Sequence, residues 1–302
     1  MLNETNDHFF GFGPLDEYLS DPDITEIMVN GPGKIYVEKK GRLQLTEHTF
    51  QNAKQVLNVI DRIVGKAGKR VDYATPLCDA RLPDGCRANV VLPPVSLQGP
   101  VLTIRRFQKS LLHMNDLIKL GSLQPCQADE LKKLIQERKN IVIAGNSGSG
   151  KTTLLNILSK EIDSSERILA LEDTSELQLQ QPHVIRFETR QRNQEGKGEI
   201  TMKDLVINAL RMRPDRIIVG ECRGDEVIPM LQAMNTGHDG SMTTLHANTA
   251  EDVMPRLEGM ILMGAPNWPI DVVRHQIKTA LDVVVYLKRE GTRRWIQDIR
   301  SC

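Results

Sequence analysis

The hydrophobic pattern changes about a third of the way along the chain. Up to residue 107, short apolar runs alternate with turn residues. EIMVN at 26–30 stops at Gly31-Pro32-Gly33, and the apolar runs 35–38 and 43–46 flank a Lys-Lys-Gly-Arg turn, which predicts a strand followed by a hairpin. Ala53, Val56, Leu57, Ile60, Ile63 and Val64 form one apolar stripe at helical spacing, ending at Gly65 and Gly68. A second hairpin, 79–82 and 86–92, turns at Pro83-Asp84-Gly85, and a further strand covers 101–107. From 108 to 121 the pattern loosens and reads as a linker. Beyond it, helical stripes such as Ala128, Leu131, Leu134 and Ile135 alternate with short, continuously apolar runs. Those runs, at 141–144, 168–171, 184–187, 217–219, 242–245 and 283–287, predict a parallel sheet covered on both faces. The polar stretch 191–199, with Gly196 and Gly198, reads as a mobile loop.

Composition narrows the class. The chain has 302 residues, long enough for two domains at about 150 residues each. Hydrophobic residues make up 40% and charged residues 26%, which excludes a disordered or collagen-like chain. Lys plus Arg and Asp plus Glu are both 39, so the net charge is zero, unlike a dedicated nucleic-acid binder. The N-terminal segment is acidic and lacks the apolar run of a signal peptide, and no stretch reaches the 18 apolar residues of a membrane span. Five cysteines without a C-x-x-C pair suggest neither a disulfide framework nor a four-thiolate zinc site. The expectation is a reduced, cytoplasmic protein.

The strongest chemical signal is GNSGSGKT at 145–152, which matches G-x-x-x-x-G-K-[ST] between an apolar strand and a helix. Gly145, Asn146, Ser147, Gly148, Ser149 and Gly150 would turn backbone N–H groups onto an anion at the positive end of that helix, continued by Thr153. Lys151 is expected as an exposed ligand of the β- and γ-phosphates of ATP, and the Thr152 hydroxyl as a ligand of Mg²⁺. DRIIVGE at 215–221 supplies an apolar strand ending in an acid, expected beside the P-loop, with Glu221 activating water or helping to hold the metal. EDTSE at 172–176 follows another apolar strand. Glu172 is the stronger candidate for a catalytic or metal-holding acid, whereas Glu176 could equally start a helix. The spacing of His238 and His246 fits no zinc pattern. His246 ends a strand, which suits a γ-phosphate contact or a relay.

Four boxes in order carry a resemblance. GNSGSGKTT, LEDTSELQL, PDRIIVGECRGDE and GHDGSMTTLHANTAEDVMPRLE resemble the ATPases of the type II/type IV secretion superfamily. The upstream GFGPLDEYLSDPDITEIMVNGP and DARLPDGCRANVVLPP are similar to the CpaF/TadA branch of tight-adherence (Flp) pilus ATPases. The resemblance implies an α/β fold in which a smaller PAS-like α+β N-terminal domain, 1–107, precedes a RecA-like P-loop NTPase domain, 122–302. It implies a homo-hexameric ring with ATP between the two domains, acting with an inner-membrane platform protein at the cytoplasmic face of the bacterial inner membrane. No nucleic-acid partner is expected.

The same resemblance places Lys151 and Thr152 on phosphate and Mg²⁺, and Glu172 and Glu221 in the acidic and Walker B boxes. It places His246 in the histidine box, and Arg81, Arg87 and Arg105 where N-terminal arginines reach the nucleotide. Strand alternation puts Arg105 and Arg106 on opposite faces, and the resemblance favours Arg105. Many relatives carry a longer N-terminal extension, and more C-terminal structure would be expected after residue 287. The competing classes are a RecA-like nucleic-acid motor, disfavoured by zero net charge and 4% aromatic residues, and a silent scaffold, disfavoured by the intact P-loop.

Overall fold

The computed structural model describes residues 11–82, 85–106, 112–192 and 196–302, and the chain divides into two compact units, 1–110 and 111–302. The Pro83-Asp84 part of the predicted turn, Phe107 and the start of the predicted linker lie outside the described residues. Among the described residues no helix is long and apolar enough to cross a membrane.

The first unit runs α1 (Asp16–Ser20), β1 (Ile24–Asn30), β2 (Ile35–Lys39), β3 (Arg42–Leu45), α2 (Ala53–Lys66), β4 (Leu77–Arg81), β5 (Arg87–Val91) and β6 (Val101–Arg105). Its six strands form one sheet in the order β3-β2-β1-β6-β5-β4, antiparallel at every pairing. Alternation drives the packing: Ile27, Val29, Ala88, Val90, Leu102 and Ile104 face inward and meet Val56, Ile60 and Ile63 of α2 in one core. The Asn52 side chain accepts from Gln55 N and fixes where α2 begins.

The second unit continues with α3 (Met114–Lys119), α4 (Pro125–Gln136), β7 (Ile141–Gly145), α5 (Lys151–Ser159), β8 (Ile168–Glu172), β9 (Val184–Glu188), α6 (Met202–Ala209), β10 (Arg216–Cys222), α7 (Val227–Asn235), β11 (Met242–His246), α8 (Val253–Gly264), α9 (Ile270–Ala280), β12 (Val283–Glu290) and β13 (Arg293–Ser301). The segment read as a linker therefore holds a helix, and Met114 is buried in the core of this unit. The sheet order is β13-β12-β7-β11-β10-β8-β9, parallel except for the antiparallel edge strand β13. Helices α6 to α9 pack on one face against Val142, Ala144, Leu169, Leu171, Ile217 and Val219. Helices α3 to α5 pack on the other against Ile141, Ile143, Ile168, Ala170 and Ile218. Strands buried on both faces explain the unbroken apolar runs.

At the N-terminal ends of the strands, buried polar groups tie the layers together. Asn140 accepts from Gly240 N and Ser241 N and donates to Ala280 O at 2.8 Å. Arg216, 1% exposed, donates to both carboxylate oxygens of Glu166. This rigid end leaves the opposite, C-terminal edge to carry the chemistry.

Candidate nucleotide-binding site

Five parallel strands deliver side chains to the C-terminal edge of the second sheet, where open α/β sheets bind ligands. Strand β7 ends in the P-loop, β8 in Glu172, β11 in His246, and β10 and β12 reach past the same edge. The expectation that 215–221 lies directly beside the P-loop strand needs correcting. β11 lies between β7 and β10, and His246 is in register with Gly145. The histidine box, not the Walker B strand, is the immediate neighbour of the phosphate loop on that side.

The loop geometry requires glycine. Gly145 has φ +154°, and a β-carbon there would collide with the Leu287 carbonyl oxygen and stand 2.7 Å from Ser149 Oγ. Gly150, at φ +100°, caps the N-terminus of α5. Ser149 Oγ is buried without a partner. Such a cradle, with an orphan hydroxyl at a helix N-terminus, fits a bound phosphate chain.

Lys151 is buried, 7% exposed, and not the exposed ligand expected from sequence. Its Nζ donates to Gly145 O at 2.9 Å and Asn146 O at 3.1 Å, and lies 3.4 Å from His246 Nδ1. Burial holds its ammonium below the usual lysine range, with Glu221 opposing and Arg223 reinforcing the shift. His246 Nε2 in turn lies 2.7 Å from Glu221 Oε1. Burial, then the charge of Lys151, pushes the imidazole below the usual histidine value, against the pull of Glu221. His246 Nδ1 thus faces the Lys151 ammonium, while Nε2 faces Glu221 Oε1, a close contact without the alignment of a hydrogen bond, so that oxygen accepts none among the described residues.

The other oxygen of Glu221 belongs to Arg223. Its Nε donates to Glu221 Oε2 at 2.7 Å, and its Nη1 lies 3.5 Å from Asp173 Oδ2. Sequence reasoning missed Arg223, although a basic residue two positions after a strand-end acid was the available signal. Glu226 orients that turn by accepting from Gly224 N at 2.9 Å. Cys222, between these two charges, packs inward; burial pushes its thiol up to about 12.

Glu172 is buried at the end of β8. Its Oε1 accepts from Glu176 N at 2.7 Å and Leu177 N at 2.8 Å, while Oε2 is buried without a partner. No helix starts at Glu176, so the alternative reading of that acid as a helix-start residue does not hold; the carboxylate of Glu172 organises the segment instead. Thr152, at the start of α5, is half-buried. The described residues contain no cluster of three or more His, Cys, Asp or Glu fit to hold a metal. A P-loop Mg²⁺ does not need one, since phosphate oxygens and one hydroxyl supply ligands.

In the first unit, Arg81 pairs with Arg87 across β4 and β5, and Arg87 pairs with Arg105 across β5 and β6. Three guanidinium groups therefore share one row of one sheet face, with strands about 4.8 Å apart. Glu26 pairs with Arg105 on the next strand, and Glu26 is held above the usual carboxylate range by burial, against the charge of Arg105. Arg106 points the other way, donating to Asp21 O and Ile24 O.

The comparisons with known proteins agree with this geometry. Residues 10–293 match the family described as Type II/IV secretion system protein. A putative conjugal transfer protein of Mycobacterium tuberculosis is 34% identical, covering 94% of this chain and 82% of its own length. The crystal structure of the VirB11 ATPase of the Brucella suis type IV secretion system in complex with sulphate superposes with TM-score 0.52 at 28% identity, over 95% of this chain and 92% of that one. The Legionella pneumophila ATPase DotB shares the fold, with TM-score 0.66 at 23% identity over 93% and 77%.

Glu172 generates a test of this site. Burial raises its pKa, opposed by the two N–H donors, so this carboxyl holds its proton more tightly in the folded chain than in the unfolded one. The wild type should lose stability as pH rises from the ordinary carboxylate value through the raised one. Glu172→Gln keeps an acceptor for both N–H groups and has no charge to desolvate. Its melting temperature relative to wild type should therefore climb as pH rises from the ordinary carboxylate range through the raised value; parallel profiles would contradict the assignment. Taken together, the phosphate cradle, the acids at the strand ends and these matches place the chain in the Type II/IV secretion system protein family.

Proposed function

We propose that this chain is the motor ATPase of a tight-adherence-type pilus or related secretion machine, hydrolysing ATP with Mg²⁺ to drive pilin extraction and assembly or export. The chain is an ATP hydrolase, and the observation that carries the reading is the close succession of Lys151, His246 and Glu221, at 3.4 Å and 2.7 Å, from the phosphate cradle to a strand-end carboxylate oxygen that accepts no hydrogen bond among the described residues. Anion binding at the loop would draw Lys151 Nζ off the carbonyls of Gly145 and Asn146 and onto phosphate oxygens. Thr152, with Glu172 and Glu221 nearby, would hold Mg²⁺, which supplies charge neutralisation on the phosphates. Glu221 would then orient and deprotonate water through Oε1, which accepts no hydrogen bond among the described residues, while Arg223 holds Oε2.

In this reading the first unit is a PAS-like domain and the second a RecA-like domain, and the working species is a homo-hexamer at the cytoplasmic face of the inner membrane, engaged with a membrane platform protein. The row Arg81, Arg87 and Arg105 supports a role for the first unit. The shared row gives a polyphosphate several guanidinium groups on one face of the sheet. These arginines would clamp the γ-phosphate and release it after hydrolysis, coupling chemistry to movement.

Two measurements test this. Glu221→Gln should bind Mg·ATP as the wild type does and hydrolyse it about 100- to 10,000-fold more slowly. A fall of less than about tenfold moves the base role to Glu172. For the clamp, Arg81→Ala, Arg87→Ala and Arg105→Ala should retain nucleotide affinity while at least one loses about 1,000-fold in turnover. Near-normal rates in all three would remove the first unit from catalysis.

A further inference from the structure

β12 is the other neighbour of the P-loop strand, and nothing above uses its end. It runs parallel to β7 with Val283 opposite Ile141 and Leu287 opposite Gly145, then continues to Glu290. Residues 288–290 therefore flank the phosphate loop, not the strand that precedes it. Side chains alternate along a strand, so Leu287 and Arg289 share a face. That face is turned to the loop, since Leu287 Cδ2 lies 3.8 Å from where a β-carbon on Gly150 would stand.

Arg289 lies directly against the loop backbone. A β-carbon at Gly148 would collide with Arg289 Nη1 and stand 3.5 Å from its Cζ. The guanidinium occupies the space that this glycine leaves open, and Gly148 has φ +68°. Its aim is set from behind, where Nε donates to Gly291 O at 3.1 Å. Among the described residues Arg289 makes no ion pair, and the adjacent Glu290 is taken by Lys288 at 2.8 Å. A half-buried, unneutralised guanidinium beside a loop built for anions calls for an anion.

We propose that Arg289 is a phosphate ligand of the bound nucleoside triphosphate, supplied by the strand beside the P-loop. This rests on the ATPase reading above and adds a contact to it. The guanidinium presents a planar fork suited to two phosphate oxygens, from the side of the loop opposite His246. The ligand class follows from the geometry: the contact is to the polyphosphate and is indifferent to the base.

The test uses the full chain with Mg²⁺ and two probes, ATP and inorganic tripolyphosphate, measured by calorimetric titration. Arg289→Gln should weaken both by a similar factor, about 10- to 100-fold, as expected for loss of a charge-assisted hydrogen bond. The ratio of ATP to GTP affinity should not change. Arg289→Ala serves if the Gln variant fails to fold. Weakened ATP binding with unaltered tripolyphosphate binding would place the side chain on ribose or base and overturn the proposal. Wild type binding both probes, with the variant binding both equally tightly, would overturn it alone. Wild type binding neither probe would remove the ATPase reading as well.

Discussion

A buried ammonium is the constraint on which the site depends. Lys151 is buried at the head of α5, and its charge must be met by something. Here Gly145 O, Asn146 O and His246 Nδ1 surround it. His246 in turn stands 2.7 Å from one oxygen of Glu221, while Arg223 donates to the other. Lys151, His246, Glu221 and Arg223 thus stand in one continuous line of contacts.

The fold makes that linkage short. Parallel strands bring their C-terminal ends to one edge, and inserting β11 between β7 and β10 puts the histidine between the phosphate loop and the acid. The pairing of β10 with β11 shifts register between Val219 and Cys222, beside Glu221. Thr244 Oγ1 donates to Gly220 O at 2.6 Å and ties the two strands at that level. On the other side, β12 presses Leu287 and Arg289 against the loop glycines. The P-loop is held between two strands of different chemistry, one leading to the acid and one carrying a cation.

Much of this was legible in the chain itself. The P-loop is a contiguous motif whose glycines have local causes, and the central parallel strands β7, β8, β10 and β11 announce themselves as doubly buried apolar runs. What lay beyond reach was spatial order. No local pattern says that β11 intervenes between β7 and β10, so the neighbour of the loop was misjudged. The burial of Lys151 depends on tertiary cover, and Arg289 gains meaning only from the strand pairing that carries it past β7. β13 escaped because an edge strand, RRWIQDIRS, is dominated by charge and polarity. In the first unit, the three arginines were recognised separately, yet their shared row follows from register across three strands.

The central claim is that Lys151 is held in reserve for a phosphate, and phosphate release from Mg·ATP tests it most directly. Wild type and Lys151→Ala would be assayed side by side, each first shown by thermal unfolding to be folded. The account predicts steady turnover by the wild type and none above background by the variant. A folded Lys151→Ala chain that releases phosphate at the wild-type rate would contradict it.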